Sequence, residues 1–336
     1  MVVTAPALHP MYRLSDEQRW RKPLVVILGP TAVGKSSVAL EVAKHYDSEI
    51  LTADSRQVYR RMDIGTDKPL PHERQGVIHR LIDLVNPDES FNAGVFRRMA
   101  AECIRDLHGQ GRLPLLVGGT GLYVRVLLQG LCEAPPSDPY LRSELLRQAD
   151  EQGGDAFFAR LAEIDPVYAS KLHPRDTSKV LRAIEVYELS GRRMSEFHGT
   201  HAFGERPYCT LIVGLDRSRS ALYRRIEDRI DRQLECGFVQ ETQQLLAQGY
   251  RRDCAAMKGL GYRQVAAYLA GEYDYDEMVR QFKRDTRRFA KRQLTWFRQE
   301  PEVEWLMIED HELPETTAAR VTDRIDRFLA GLSHSV

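Results

Sequence analysis

Near its N-terminus the chain reads Gly29-Pro30-Thr31-Ala32-Val33-Gly34-Lys35-Ser36. This octapeptide matches the phosphate-binding pattern GxxxxGK[ST], in which x is any residue. It follows an apolar run at residues 24–28 that is rich in β-branched side chains, as a buried parallel strand is. After Ser36, apolar residues recur at the spacing of a helix. A strand, a glycine-containing loop and a helix in this order predict the phosphate loop of a P-loop NTPase-like α/β fold.

The chemistry of this loop follows from its residue types. Glycines allow the backbone amides to turn inward around phosphate oxygens, and the N-terminus of the following helix adds a positive potential. Lys35 contributes a point charge, and the hydroxyl of Ser36 can bind Mg²⁺. The protein is therefore expected to hold a phosphate chain together with Mg²⁺. The reaction stays open at this point, since ATPases, kinases and other transferases use such a loop.

Segments after the phosphate loop alternate between strand and helix patterns. This alternation predicts a parallel sheet flanked by helices. The further strands are predicted at residues 49–52, 81–85, 114–117, 211–215 and 305–308, and helices at residues 96–107 and 122–128.

Strand patterns disappear in the middle of the chain. Residues 131–208 begin with closely spaced prolines and continue with charged segments of helical periodicity. They predict an inserted helical domain between the two parts of a catalytic core, residues 20–130 and 209–310. The second part is predicted to have a helical C-terminal region, in which residues 276–298 form the longest helical pattern.

Composition excludes several classes of protein. The 336 residues include 48 lysines and arginines against 48 aspartates and glutamates, so the net charge identifies no acidic or basic partner. Five scattered cysteines without a CxxC pair argue against a disulfide framework and against a zinc site. No apolar run reaches the ~18 residues that a membrane span needs. We expect a cytoplasmic protein with no membrane partner, and a monomer.

The second predicted strand leads directly into Asp54. Because the carboxyl ends of parallel strands meet at one edge of the sheet, this carboxylate is expected beside the phosphate loop, where open α/β sheets bind ligands. Asp54 is therefore a candidate general base or metal partner. The alternative is structural, since an aspartate after a strand often accepts hydrogen bonds from the following turn.

Six blocks of residues beyond the phosphate loop carry a more specific signal. The blocks are Asp54-Ser55-Arg56-Gln57-Val58-Tyr59, Met62-Asp63-Ile64-Gly65-Thr66 with Lys68-Pro69, His79-Arg80-Leu81-Ile82-Asp83, Leu116-Val117-Gly118-Gly119-Thr120-Gly121-Leu122-Tyr123, Lys258-Gly259-Leu260-Gly261-Tyr262-Arg263 and Ala290-Lys291-Arg292-Gln293-Leu294-Thr295-Trp296-Phe297-Arg298. In content and order they closely resemble the bacterial tRNA dimethylallyltransferase family. One departure is Arg80, where the family often has a second histidine.

The resemblance implies a reaction and the roles of several residues. The family transfers a dimethylallyl group from dimethylallyl diphosphate to the exocyclic N6 amine of the adenosine just 3′ of the anticodon, and diphosphate is released. By resemblance, Asp54 removes the amine proton, which should accelerate attack by ~10² to 10⁴. Lys35, the loop amides and Mg²⁺ on Ser36 would neutralise the departing diphosphate, and Thr31 would touch the substrate.

Two arginines of the C-terminal part complete the implied catalytic group. Arg225 and Arg229 lie four residues apart, so they can share one face of a helix. By resemblance, one of them reaches the diphosphate. The alternative, above all for Arg229, is pairing with acidic neighbours from Glu227 to Asp231 on a solvated face.

The resemblance also implies a surface for the tRNA anticodon stem-loop, from which the target nucleotide is unstacked. It implies that the helical insert at residues 131–208 is a tRNA-binding domain. The implied contacts are Asp54, Ser55, Arg56, Gln57, Thr120, Arg142, Ser178, Lys179, Val180, Leu181, Arg182, Lys258, Gly259, Leu260, Gly261, Tyr262, Arg263, Lys291, Arg292, Gln293, Leu294, Thr295, Trp296, Phe297 and Arg298.

A basic stretch supports RNA binding independently of the resemblance. Its cations are Arg280, Lys283, Arg284, Arg287, Arg288, Lys291, Arg292 and Arg298, against only Asp276, Glu277 and Asp285 in the same stretch. Such clustering suits a phosphate backbone. The alternative is a solvated charged helix whose phenylalanines lie in the core.

Three other functions stay open from the sequence. A small-molecule kinase would use the same loop for ATP, although it has little use for a helical insert and a basic helix. An adenylate isopentenyltransferase would prenylate free adenine nucleotides and leave the RNA-binding surface without a role. A regulatory module that only binds nucleotide and RNA would need no catalytic base at Asp54.

Overall fold

The structure is a computed structural model that describes residues 12–132, 134–201 and 206–333. Contacts divide the chain into two compact units. The first contains the residues up to Leu127 and those from Pro207 onward, and the second is Leu128–Arg206. The second unit has nearly the bounds predicted for the insert, of which residues 133 and 202–205 lie outside the described residues. Its role in binding tRNA stays a prediction.

The first unit is built on one sheet. Its strands are β1 (Pro23–Leu28), β2 (Ile50–Ala53), β3 (His79–Arg80), β4 (Leu115–Gly118), β5 (Cys209–Arg217) and β6 (Val303–Ile308). They form a six-stranded sheet in the order β3-β2-β4-β1-β5-β6, and every neighbouring pair is parallel. The predicted P-loop-like α/β fold, a parallel sheet flanked by helices, is thereby confirmed.

Strand β1 lies inside the sheet between β4 and β5. All six of its residues are buried, as an apolar strand covered on both faces should be. Because the strands are parallel, the carboxyl ends of β1, β2, β4 and β5 lie at the same edge. Ligands of open α/β sheets bind at this edge, where the chain leaves neighbouring strands in opposite directions.

Helices of the first unit cover the sheet and form the C-terminal region. They are α1 (Asp16–Trp20), α2 (Lys35–His45), α3 (Ala93–Gly109), α4 (Gly121–Gln129, which begins in this unit), α10 (Arg219–Glu235), α11 (Phe238–Ala247), α12 (Tyr262–Leu269), α13 (Tyr275–Phe297) and α14 (Pro314–Ser333). The sequence predicted a core that ends at residue 310, and α14 extends it. Its buried stripe includes Val321, Ile325 and Leu329, and the hydroxyl of Tyr46, the residue after α2, donates to Asp326 of α14 at 2.6 Å.

The strand predicted at residues 81–85 is wrong. Strand β3 comprises only His79–Arg80, and the backbone then takes left-handed φ angles of 66° at Leu81 and 55° at Asp83. An extended strand cannot pass through such residues. Val85 returns to the sheet as an isolated bridge.

The described residues of the second unit form helices and the loops that connect them. Its helices are α5 (Pro139–Gln152), α6 (Gly154–Ile164), α7 (Pro166–Ala169), α8 (Thr177–Ser190) and α9 (Met194–His201). A separate apolar core joins them, with Phe157, Leu161 and Ile184 among its fully buried members. In neither unit does a described helix combine the length and apolarity that a membrane crossing needs.

Candidate active site

The phosphate loop connects β1 to α2 at the carboxyl edge of the sheet. Gly34 caps α2 with a left-handed φ of 112°. Gly29 permits a close approach, because a Cβ atom there would lie 2.6 Å from the Leu215 carbonyl oxygen. The Lys35 ammonium folds back over the loop and donates to the carbonyl oxygens of Gly29 and Pro30, at 3.0 and 2.8 Å. The loop conformation thus depends on glycine at two positions.

The charge of Lys35 is poorly compensated. Burial lowers the pKa of its ammonium to about 8, and the positive charge of Arg229 acts in the same direction. The carboxylates of Asp54 and Asp67 oppose this shift, which means that both lie within electrostatic range of the lysine. A bound anion would raise the Lys35 pKa again, because an opposite charge favours the charged form.

Two arginines hold the phosphate loop. Arg225 Nε donates to the Ala32 carbonyl oxygen at 2.9 Å, and Arg217 Nε donates to the Val33 carbonyl oxygen at 2.9 Å. A Cβ atom on Gly34 would lie 3.8 and 3.9 Å from the Nη2 atoms of the two guanidinium groups. Two like charges at the N-terminus of α2 create a positive potential that favours an anion.

Arg217 is a site residue that the sequence reasoning missed. It ends β5 and is only 8% exposed, and Nη1 also donates to the Glu309 carbonyl oxygen at 2.8 Å. Burial lowers the pKa of its guanidinium, and the nearby Arg225 adds to that effect. A signal was available, since Arg217 follows the apolar run of a predicted strand just as Asp54 does.

Arg229 lies on the same helix as Arg225, with its side chain 17% exposed. Its Nη1 atom lies 3.3 Å from Asp67 Oδ2, and its Nε atom is buried without a hydrogen-bond partner in the described part of the chain. The alternative pairing with Glu227 or Asp231 is not observed, because those carboxylates pair with cations of α13. Arg229 therefore pairs with Asp67, and its positive charge acts on the pKa of Lys35.

Asp54 follows β2, and its side chain makes the contacts that the structural alternative predicts. Oδ1 accepts hydrogen bonds from the backbone amides of Arg56 and Gln57, at 2.7 and 3.3 Å, which caps the turn. Among the residues that the structure describes, none donates a hydrogen bond to Oδ2. The turn thus holds the carboxylate in one orientation and leaves one oxygen able to accept a proton.

A second loop follows β4 and is tied to its neighbours by side chains. Thr120 Oγ1 accepts a hydrogen bond from the Ser55 amide at 3.0 Å. From α13, Gln293 Oε1 accepts from the Thr31 amide at 2.9 Å, and its Nε2 donates to the Gly119 carbonyl oxygen at 2.8 Å. Gln293 was predicted to contact RNA. It is instead buried, and it joins the phosphate loop to the loop after β4.

The predicted RNA contacts differ in exposure. Exposed side chains belong to Ser178, Lys179, Lys258, Arg263, Lys291, Arg292, Thr295 and Arg298. Half-buried ones belong to Asp54, Ser55, Arg56, Gln57, Thr120, Arg142, Arg182, Leu260, Leu294 and Trp296. Buried residues are Val180, Leu181, Gly259, Gly261, Tyr262, Gln293 and Phe297. The buried residues pack inside the protein, and RNA contact stays a prediction for the whole set.

Two predicted segments lie side by side. Arg56 Nη1 donates to the Ala255 carbonyl oxygen at 2.8 Å, and its side chain lies 3.6 Å from where a Cβ atom of Gly259 would be. Lys258 is exposed next to this contact. The turn after β2 and the segment before α12 therefore form one continuous surface.

The predicted basic helix is α13, but most of its charge is compensated. The pairs are Arg280–Glu277, Lys283–Asp231, Arg284–Asp285, Arg287–Glu227, Arg288–Asp285 and, at the C-cap, Arg298–Asp216. Three of the acidic partners come from α10 and β5, far away in sequence. Lys291 and Arg292 are the cations of this stretch that lack a carboxylate partner among the described residues. The basic surface is smaller than predicted.

Trp296 is held against the start of α4. A Cβ atom on Gly121 would lie 2.4 Å from the indole ring, so only glycine fits there. The Arg125 guanidinium lies 4.2 Å from the ring centroid and pairs with Glu300 at 2.5 Å. An arginine therefore already stacks on this indole.

Within the second unit, two predicted RNA contacts meet a buried carboxylate. Arg142 Nη1 lies 3.1 Å and Arg182 Nη1 2.8 Å from Glu185 Oε2. Burial opposes ionisation of Glu185, but hydrogen bonds from Ser137 and Arg182 dominate and lower its pKa. Arg142 and Arg182 thus stabilise this unit, whatever else they contact.

A protein cage for a metal ion is absent: the residues that the structure describes contain no group of three or more His, Cys, Asp or Glu side chains able to hold one. Ser36 is exposed in the first turn of α2. Mg²⁺ is commonly held by one or two protein groups together with substrate phosphates and water. The residues present fit an Mg²⁺ ion that arrives with a phosphate ligand.

Known proteins share both sequence and fold with this chain. Residues 57–300 match the family model described as IPP transferase. The chain is 46% identical over 305 residues to tRNA dimethylallyltransferase 2 of Geotalea uraniireducens, an alignment that covers 91% of this chain and 97% of the relative. It is 48% identical over 283 residues to the tRNA dimethylallyltransferase of Syntrophobacter fumaroxidans, covering 84% and 83%.

Solved structures of related enzymes share the fold of this chain. The tRNA isopentenylpyrophosphate transferase of Bacillus halodurans has a TM-score of 0.70 and 37% identity, with 93% of this chain and 98% of that chain covered. A eukaryotic dimethylallyltransferase acting on tRNA has a TM-score of 0.78 and 26% identity, with 92% and 79% covered. The predicted resemblance is confirmed, and the chain belongs to the IPP transferase family.

Proposed function

We propose that this protein transfers the dimethylallyl group of dimethylallyl diphosphate to the N6 amine of the adenosine 3′ of the anticodon in tRNA, and releases diphosphate. The names of its relatives support tRNA as the acceptor and dimethylallyl as the group transferred. One observation carries the proposal. Asp54 keeps one oxygen without a donor among the described residues, and it lies within electrostatic range of Lys35.

Asp54 is the proposed general base. The exocyclic amine of adenine is a poor nucleophile because its lone pair is delocalised into the ring. In the proposed step, N6 bonds to the first carbon of the dimethylallyl group while the bond from that carbon to the diphosphate oxygen breaks. The N6 proton passes to Oδ2 of Asp54, a transfer that typically contributes ~10² to 10⁴ in rate.

The cations around the phosphate loop are proposed to hold the leaving diphosphate. Its negative charge grows as the carbon–oxygen bond breaks, and preorganised positive groups stabilise that charge most effectively. Lys35, Arg225 and Arg229 support this role through their positions, and Arg217 supports it by fixing the Val33 carbonyl. The lowered pKa of Lys35 is the expected state of such a site before an anion binds.

Ser36 is the residue proposed to hold Mg²⁺. Its hydroxyl lies in the first turn of α2, beside the amides that would face the diphosphate. When bound, the ion would neutralise part of the diphosphate charge.

The anticodon stem-loop of tRNA is the proposed partner. Exposed cations on the first unit support it: Lys258 beside Arg56, and Lys291 with Arg292 on α13. Contacts of this kind reach phosphates and make binding depend on salt. The loop nucleotide that carries the amine is single-stranded, so unstacking it costs little.

The test is mass spectrometry of nucleosides from unmodified tRNA incubated with protein, Mg²⁺ and dimethylallyl diphosphate. Prenylated adenosine is expected with the wild-type protein. It should be absent with Asp54→Asn, which keeps the turn acceptor but cannot take a proton. The control is Asp16→Asn, since that side chain is 99% exposed on α1. Gel-shift titrations should show that both variants still bind tRNA.

Other outcomes separate the alternatives. Radiolabel that enters RNA or a small molecule from ATP, with none from the prenyl donor, would identify a kinase and end the proposal. Prenylation of free adenine nucleotides without tRNA binding would identify an adenylate isopentenyltransferase. Full activity of Asp54→Asn would remove the proposed base.

A further inference from the structure

The carboxylate of Asp67 lies where it would repel a bound diphosphate. Its Oδ2 atom lies 3.3 Å from Nη1 of Arg229, one of the cations proposed to hold the diphosphate. Its backbone is fixed on both sides: the amide donates to the Ile64 carbonyl oxygen at 3.1 Å, and the carbonyl accepts from Gln57 Nε2 at 3.1 Å. Its φ is 54°, a left-handed value that aspartate tolerates better than most residues. The carboxylate is thus presented by a defined turn.

The partner of this carboxylate is incompletely bonded. Arg229 has five N–H donors to satisfy, and its contact with Asp67 is long, 3.3 Å from Nη1 to Oδ2. Its Nε atom is buried and has no acceptor in the described part of the chain. A buried donor without an acceptor is costly, so an incoming oxyanion would be favoured there. Asp67 itself is about half exposed, at 51%, and can return to water when Arg229 leaves it.

We propose that Asp67 competes with the diphosphate for Arg229. In the free protein Arg229 pairs with Asp67, and when the prenyl donor binds, Arg229 donates to the diphosphate while Asp67 faces solvent. This inference rests on the proposed function and identifies a residue that limits diphosphate affinity. Asp67 lowers the affinity of the protein for the prenyl donor, and it also favours release of the diphosphate product.

Replacement of Asp67 should change the affinity for diphosphate in a definite direction. Removal of a side chain that holds the ligand weakens binding, whereas removal of the Asp67 carboxylate should strengthen binding of the diphosphate. Loss of one nearby negative charge at a partly solvated site corresponds to a gain of about 3- to 10-fold in affinity for an anion. The gain should shrink at high salt, because screening reduces the repulsion.

The experiment is calorimetric titration of the full-length protein with inorganic pyrophosphate and Mg²⁺, at low and high salt. Asp67→Asn and Asp67→Gly are used because both tolerate the left-handed backbone, and thermal melts check that they fold. Both should bind pyrophosphate about 3- to 10-fold more tightly than the wild type. Asp16→Asn, which removes an exposed carboxylate elsewhere, should leave the affinity unchanged.

A double-mutant cycle tests the route through Arg229. In an Arg229→Gln background, Asp67→Asn should change the affinity for pyrophosphate by no more than twofold, because the arginine for which Asp67 competes is gone. Weaker or unchanged pyrophosphate binding by both Asp67 variants overturns the inference, and weaker binding would make Asp67 a holder of cations instead. A wild-type protein that does not bind pyrophosphate at all refutes the proposed function itself.

Discussion

Replacement of Lys35 by methionine is expected to abolish prenyl transfer and yet to stabilise the free protein at pH 7. Burial lowers the pKa of this lysine from its ordinary 10.5 to about 8. Since each pKa unit corresponds to about 1.4 kcal/mol, keeping the lysine charged costs the folded protein roughly 3 kcal/mol. Methionine has a similar length and does not carry this cost.

The net gain is smaller than that figure. Methionine cannot donate to the carbonyl oxygens of Gly29 and Pro30, and each lost hydrogen bond costs ~1 kcal/mol. We therefore expect Lys35→Met to raise the free energy of unfolding by about 1 kcal/mol at pH 7. The folded protein binds the lysine proton less tightly than the unfolded chain, so the cost is complete below pH 8 and disappears as the pH rises towards 10.5. The wild type should become the more stable protein near pH 10.

Urea denaturation at pH 7 and at pH 9.5, followed by tryptophan fluorescence, measures the difference. Lys44→Met is the matched control, because Lys44 lies on the same helix and pairs with Glu41 near the surface. The difference in stability between Lys44→Met and the wild type should not change sign between the two pH values. If Lys35→Met is less stable than the wild type by the same amount at both pH values, the lysine is not penalised in the free protein and the electrostatic reasoning is refuted.

Three other substitutions test separate parts of the structure. Gln293→Ala should lower kcat/KM for the donor by about 10- to 100-fold in steady-state assays, because two loops lose their connection, while filter binding shows tRNA affinity unchanged within twofold. Gly121→Ala should lower the free energy of unfolding by about 2 kcal/mol in urea, since a methyl group would overlap Trp296. Glu185→Gln should cost about 2 kcal/mol at neutral pH in thermal melts, and the difference should disappear in acid as the pH falls through the lowered Glu185 pKa.

Much of the fold could be predicted because its signals are local. The apolar run of β1, the glycines of the phosphate loop and the helical spacing after Ser36 lie within a few residues of one another. Each restricts the backbone directly, so the strand, loop and helix follow from sequence alone. The strand predicted at residues 81–85 is absent because the backbone has a left-handed φ at Leu81. The residue types of this segment do not indicate that conformation.

The candidate site was only partly predictable. The position of Asp54 at the edge of the sheet followed from strand order, but its orientation depends on a turn that holds one oxygen. Arg217 ends β5 at the same edge of the sheet, and its contact with the phosphate loop at Val33 spans 184 positions. Asp67 lies between the two segments of a block identified by resemblance but belongs to neither, and its contact with Arg229 spans 162 positions.

The sequence by itself determined the parallel α/β class, the phosphate loop, the family and the separate helical insert. Only the tertiary structure decided which cations stay uncompensated, because Asp231, Glu227 and Asp216 come from other elements and pair with three cations of the basic stretch. It also decided that Gln293 is a buried connector. The physical reason is that backbone conformation depends mainly on near neighbours, whereas burial and charge pairing depend on residues that folding brings together from distant parts of the chain.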